Sequence, residues 1–173
     1  MSKQLSMQVI KEDVKKYDEF IELPVKAQGN EYIVKIYPFF KPEKVRDMLN
    51  EMIGFYRNCE KEKVNVKDEE FDDIVGYFIV KHFTNIKTTT SKKAKKIYEE
   101  FKIAINSQLF EVILKTLPEE SIQYVHNKIF EIIELNAKLQ NKIKKFQDEI
   151  KNLPLENKDI LFSNQDDENN VIQ

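Results

Sequence analysis

The sequence predicts a mainly α-helical fold with a small N-terminal β-hairpin, an α+β helical domain that ends in a long C-terminal helix. Three observations carry this. The 173 residues hold only three glycines and five prolines, too few for the many tight turns of an all-β chain. Apolar residues recur at spacings of three and four along most of the chain, the period of a helix with one buried face. Phe20 to Tyr37 breaks that period: it is rich in β-branched and aromatic residues around a glycine, as two short strands are.

Taken in order, residues 1–17 are polar and weakly patterned, with Leu5, Val9 and Val14 on one side of a nascent helix, and are expected to form a flexible leader. Phe20, Ile21, Leu23 and Val25 mark a first strand, and Pro24 places it at an edge because it has no N–H to give a neighbour. Gly29-Asn30 supplies the turn, and Glu31 to Tyr37 the second strand. A hairpin alone is marginal in water, so one face must lie on helices or on another chain. Pro42 suits the first turn of a helix whose apolar face is Val45, Met48, Leu49, Met52, Ile53 and Tyr56, running to about Asn58. After a charged connection from Glu60 to Lys67, Asp68 is a plausible N-cap, with Glu69 and Glu70 in the favourable first turn. The face that follows is wide (Phe71, Ile74, Val75, Phe78, Ile79, His82, Phe83), which predicts the central helix of the domain. Asn85 to Ser91 reads as a loop with Ser91 as cap. The helix Lys92 to Ile105 should bury Ala94, Ile97, Phe101 and Ala104 or Ile105. Asn106-Ser107 breaks it before a short apolar helix, Gln108 to Thr116.

From Leu117 to Leu153 one helix is expected, on the order of 50 Å long at about 1.5 Å per residue. Pro118 fits its first turn and Pro154 closes it. Ile122, Val125, Ile129, Ile132, Asn136, Leu139, Ile143, Phe146, Ile150 and Leu153 step by three and four, the a and d positions of a heptad repeat. Up to Ala137 the apolar face is broadened by Phe130, Ile133, Leu135 and Ala137, which suits docking on a globular core. Beyond it the stripe narrows between lysines, which suits a coiled-coil seam or a partner groove. The expected organisation is thus a leader (1–17), a helical domain with an N-terminal hairpin (18–137), a projecting helix (138–153) and an acidic flexible tail (154–173) with Asp159, Asp166, Asp167 and Glu168.

Composition narrows the chemistry. The net charge of −2 creates no overall field for nucleic acid or an anionic membrane, and the arginines that best grip phosphates are only Arg46 and Arg57. Lys87, Lys92, Lys93, Lys95, Lys96 and Lys102 form a basic run with only Tyr98 as a stacking group. It reads as a solvated lysine face, or one attracted to the acidic tail, and no nucleic-acid partner is expected. Cys59 is the only cysteine, so no intramolecular disulfide or cysteine metal cluster can form, as in a reducing compartment. No apolar run resembles a signal peptide or a membrane span, and a soluble cytoplasmic protein is expected. No Walker loop, G-x-S-x-G, H-E-x-x-H or glycine fingerprint occurs. Asp72-Asp73 and Glu99-Glu100 are adjacent on helices and point apart; His82 on an apolar face reads as a packed histidine, and His126 lies on a different helix. The expectation is a protein that is not an enzyme, with no metal and no cofactor.

Three blocks carry a resemblance. Glu31 to Tyr37 runs directly into Phe39-Phe40-Lys41-Pro42-Glu43-Lys44-Val45; Phe71 to Thr84 follows; then Asn106 to Leu114 with Pro118-Glu119-Glu120. In order and texture, over about Asp18 to Glu134, the chain resembles tail assembly chaperones of long-tailed bacteriophages and prophages of Gram-positive bacteria. The resemblance implies a small oligomeric factor in the bacterial host cytoplasm, absent from the mature virion. It would bind the tape-measure protein, keep it soluble and help recruit major tail protein. Such a holdase needs apolar surface to lend to its client. The candidate partner-binding residues are Tyr32, Val34 and Ile36 at the hairpin edge, Phe39 and Phe40 at the strand–helix junction, and Leu139, Ile143, Phe146 and Ile150 on the narrow stripe. The alternative from the heptad alone is a homodimeric coiled-coil adaptor or regulator.

Overall fold

In the computed structural model, which describes residues 4–152, the hairpin forms as two antiparallel strands, β1 (Ile21–Ala27) and β2 (Asn30–Ile36). Ala27 stands opposite Asn30, so the two-residue loop is Gln28-Gly29, one position earlier than the expected Gly29-Asn30. Both loop residues take positive φ, 52° and 77°. That backbone matches the twist of paired strands, and glycine supplies half of it without steric cost. Ahead of the hairpin, a short helix α1 (Met7–Asp13) and a 3-10 turn (Val14–Asp18) occupy much of the expected leader and bury no residue.

Helix α2 (Pro42–Glu62) starts on its proline and buries Val45, Met48, Leu49, Met52, Phe55 and Cys59. It runs past Asn58 and stops at Lys63, which adopts a left-handed conformation and turns its N–H back to the Cys59 and Glu60 carbonyls. A 3-10 turn (Asp68–Glu70) leads into α3 (Phe71–Phe83). Every residue of α3 from Ile74 to Val80 is buried, as is Phe83, which makes α3 the central helix. Around it come α4 (Ala94–Ile105), burying Ala94, Ile97 and Phe101 as expected, and α5 (Gln108–Thr116). Ser107 caps α5, its Oγ accepting from the Phe110 N–H at 3.4 Å. At Gly76, α3 passes close to α5: a Cβ there would lie 3.1 Å from Leu114 Cδ2, so the absence of a side chain lets the helices approach.

The hairpin rests on these helices and is tied to the end of α3. Tyr37 N–H donates to the Phe83 carbonyl (2.9 Å) and Asn85 N–H to the Lys35 carbonyl (3.1 Å). Lys35 N–H donates to Asn85 Oδ1 (2.8 Å), and Ile36 bridges Thr84. Beneath, Phe40 stacks on Phe83 with ring centroids 3.9 Å apart, and Phe55 and Tyr77 meet Phe78.

Helix α6 (Glu119–Asn152) is continuous, but the chain divides into two compact units within it, the first ending at Asn127 and the second beginning at Lys128. In the first unit Val125 is buried and Ser121 Oγ donates to the Pro38 carbonyl at 2.6 Å. In the second, Ile129 is buried and most later apolar side chains are exposed. The acidic tail expected over 154–173 lies outside the described residues.

Candidate functional site

The partner-binding residues expected from the sequence divide sharply. Ile36 is fully buried, and Val34 and Phe40 nearly so; they belong to the core of the first unit and cannot face a partner. The reason for Val34 and Ile36 is the pleat. Side chains alternate across a strand, and these two point to the face that lies on the helices. Phe40 is committed by its stacking on Phe83. Tyr32 and Phe39 are exposed, at 49% and 41%.

The hairpin edges are only partly open. The outer edge of β2 is bonded to Thr84 and Asn85 at its Lys35–Ile36 end, and the other edge, on β1, carries Pro24 in its middle. A strand adding there would find no N–H at that position.

On α6 the outcome is different. Leu139, Ile143 and Phe146 are 54%, 48% and 63% exposed; the side chain of Ile150 lies outside the described residues. Phe130, Ile133 and Leu135, which the broadened pattern assigned to core docking, are exposed as well. Helical spacing alone did not distinguish them from core residues, because a broad apolar face on a helix says nothing of what covers it. At about 100° per residue, Leu135, Leu139, Ile143 and Phe146 fall within an arc of roughly 80° and make one continuous stripe. A shallow groove along it is lined by Leu135, Leu139, Asn141 and the lysines Lys138, Lys142 and Lys145.

Several buried or half-buried carboxylates of the first unit are each held by donors from other elements. Glu70, 5% exposed, accepts from Lys102 Nζ (2.6 Å), the Tyr98 hydroxyl (2.9 Å) and Lys67 N–H (3.1 Å). The Lys102 ammonium is the largest influence and, with the other donors, overcomes burial to hold the carboxyl at about 2. Glu51 accepts from Lys81 Nζ (2.6 Å) and faces His82 Nε2 at 2.7 Å. Burial works against its ionisation, but the two donors prevail and lower its pKa. Glu100 accepts from the Tyr77 hydroxyl (2.7 Å) and Thr89 N–H (2.8 Å), and burial first, then that carboxylate, pushes the Tyr77 phenol up. Glu62 of α2 receives the Ala94 and Lys95 N–H groups, both at 3.1 Å. It caps α4 from a distance, where Ser91 had been expected to do so.

These carboxylates join elements far apart in sequence. His82 is half-buried against Glu51, as expected of a packed histidine. Cys59 is buried, and burial pushes its thiol up to about 11, away from the thiolate a nucleophile needs. A cleft of about 250 Å³ among α3, α4 and α5 has Val80, Ile86, Ile103, Leu109 and Phe110 as apolar walls and the already bonded Glu100 at its polar side. Among the described residues, no group of three or more His, Cys, Asp or Glu could hold a metal ion, and no helix is long and apolar enough to cross a membrane.

Sequence comparison places these features in a family. The chain is 29% identical over 123 residues to the SPbeta prophage-derived protein YomO of Bacillus subtilis (strain 168), an alignment covering 70% of each chain. No solved structure matches. The YomO family model matches from residue 7 to residue 172, so it takes in the hairpin, the helical core and the whole of α6: the chain belongs to the YomO family.

Proposed function

We propose that this chain is a phage-encoded, non-enzymatic assembly factor that uses α6 to hold a protein client. More specifically, we read it as a tail assembly chaperone acting on the tape-measure protein and helping to recruit major tail protein. The observation that carries this is the row of exposed apolar side chains on α6 from Phe130 to Phe146. Such a row is costly to leave in water, at roughly 25 cal/mol per Å² of apolar surface, and offers a client a ready-made docking face. The prophage derivation of the curated relative, and the sequence blocks that resemble tail assembly chaperones, support the phage setting. The polar clusters of the first unit support a holding role, since their side chains tie helices together.

Co-expression with the tape-measure protein of the same phage tests this. The client should stay in the soluble fraction with this chain and precipitate with a Leu139→Asp/Phe146→Asp variant. Equal precipitation with and without the wild-type chain would refute the client assignment. Mass spectrometry of purified particles checks the transient role, which requires the chain to be absent from the finished virion.

A further inference from the structure

We infer that the α6 stripe pairs with the same stripe of a second copy, antiparallel, with Ile143 of one chain against Phe146 of the other. The inference stands on charge complementarity at the stripe's margins. In a two-helix coiled coil the a and d residues form the seam and the e and g residues flank it. Counting from Ile143 at a, Leu139 and Phe146 are d, Gln140 and Gln147 are e, and Lys142 and Glu149 are g. An antiparallel pair sets a against d, g against g and e against e.

With Ile143 opposite Phe146, symmetry places Lys142 opposite Glu149 twice and Gln140 opposite Gln147 twice. Both flanks are therefore matched, one by opposite charges and the other by amides. A parallel pair would place Lys142 opposite Gln147 and give Glu149 no e residue opposite it among the described ones, so no charge is matched; its one gain is Asn136 against Asn136. Lys142 and Glu149 are exposed, and neither has an ion-pair partner among the described residues, although neighbouring Lys138 pairs with Glu134. The same spacing continues in the sequence through Ile150 and Leu153. Between Leu139 and Glu149 the described overlap spans about 15 Å. A seam of that length gives a weak, concentration-dependent dimer that a client could displace. The pairing needs no client and can be tested without one.

Light scattering and sedimentation of the full chain should show a monomer–dimer equilibrium in the micromolar range. Lys142→Glu and Glu149→Lys should each weaken it about fivefold, in line with exposed ion pairs, and the double exchange should restore it. Mixed Ile143→Cys and Phe146→Cys chains should cross-link under mild oxidation, while each variant alone does not; buried Cys59 does not compete. A monomeric mass at high concentration would overturn the pairing and leave the stripe to a different protein. Cross-linking of each variant with itself would overturn the antiparallel arrangement, and so would a double exchange that remains weak.

Discussion

Helices α3 and α6 carry the same apolar spacing and meet opposite fates. From Ile74 to Val80 α3 is buried all round, whereas α6 after Lys128 keeps Leu135, Leu139, Ile143 and Phe146 at least half exposed or nearly so. Their polar bonding differs in parallel. In the first unit Glu51, Glu70 and Glu100 draw donors from up to 32 residues away. In the second unit Lys128–Glu131 and Lys138–Glu134 pair residues three and four apart along the helix. Periodicity thus reports that a face requires cover. Only contacts distant in sequence tell whether the chain supplies that cover itself.

Substitutions at matched positions should sharpen this contrast, and the largest effect belongs to α3. Phe78→Ala removes a fully buried ring and should cost about 3–5 kcal/mol in urea unfolding followed by circular dichroism. If the cost were under 1 kcal/mol, the view of α3 as the central helix would fail.

Glu70→Gln comes next, at about 1–3 kcal/mol, because it weakens charge-assisted bonds from Lys102, Tyr98 and Lys67 inside the protein. It should also change the acid limb. Held at about 2 when folded and near 4.3 when unfolded, Glu70 contributes stability that is complete above the unfolded value and lost as pH falls toward 2. Wild type should therefore lose stability across that window faster than the variant. A residual slope in the variant is expected from Glu51, whose pKa is also lowered.

A third change, Glu62→Ala, uncaps α4 and should cost about 0.5–1 kcal/mol, with amide exchange quickening first at Ala94 and Lys95. The smallest effect on stability belongs to the stripe: at concentrations where the chain is monomeric, Phe146→Ala should stay within about 0.5 kcal/mol in the same unfolding assay, as exposed sites do. A loss like that of Phe78→Ala would mean the stripe is part of a core.

Much of the fold was legible because the signals were local. The strands, the wide face of α3, the buried Ala94, Ile97 and Phe101, and the break at Asn106-Ser107 all follow from spacing, branching and turn residues. What was not legible depended on partners far along the chain. Glu70 read as one of two first-turn acids; its burial depends on Tyr98 and Lys102, 28 and 32 residues later. Tyr77 and Val80 lie outside the face counted on α3, because a helix enclosed on every side has no single face to count, while on α2 the buried face takes Phe55 and Cys59 where Ile53 and Tyr56 were expected. The hairpin turn shifted by one because Gln28, a residue with no special liking for positive φ, takes that role before Gly29. For the candidate site, Leu139, Ile143 and Phe146 were foreseen as surface, while Val34, Ile36 and Phe40 were misassigned. For Val34 and Ile36 the direction depends on which side of the pleat the helices take, which the strand's own residues do not decide; for Phe40 it depends on Phe83, 43 residues later.

The tie between Lys35 and Asn85 spans 50 residues, which has a consequence during synthesis. At roughly 10 residues per second, a ribosome needs about 5 s after completing β2 to deliver the segment that closes its outer edge. Through that interval the hairpin leads the nascent chain with both edges open, and neighbouring nascent copies on one message could pair with it. Pro24 denies them a full ladder on one side. On the other, the Lys35–Ile36 end of β2 stays open until Thr84 and Asn85 arrive, so slow decoding between the two would prolong the time in which this chain can be lost to aggregation.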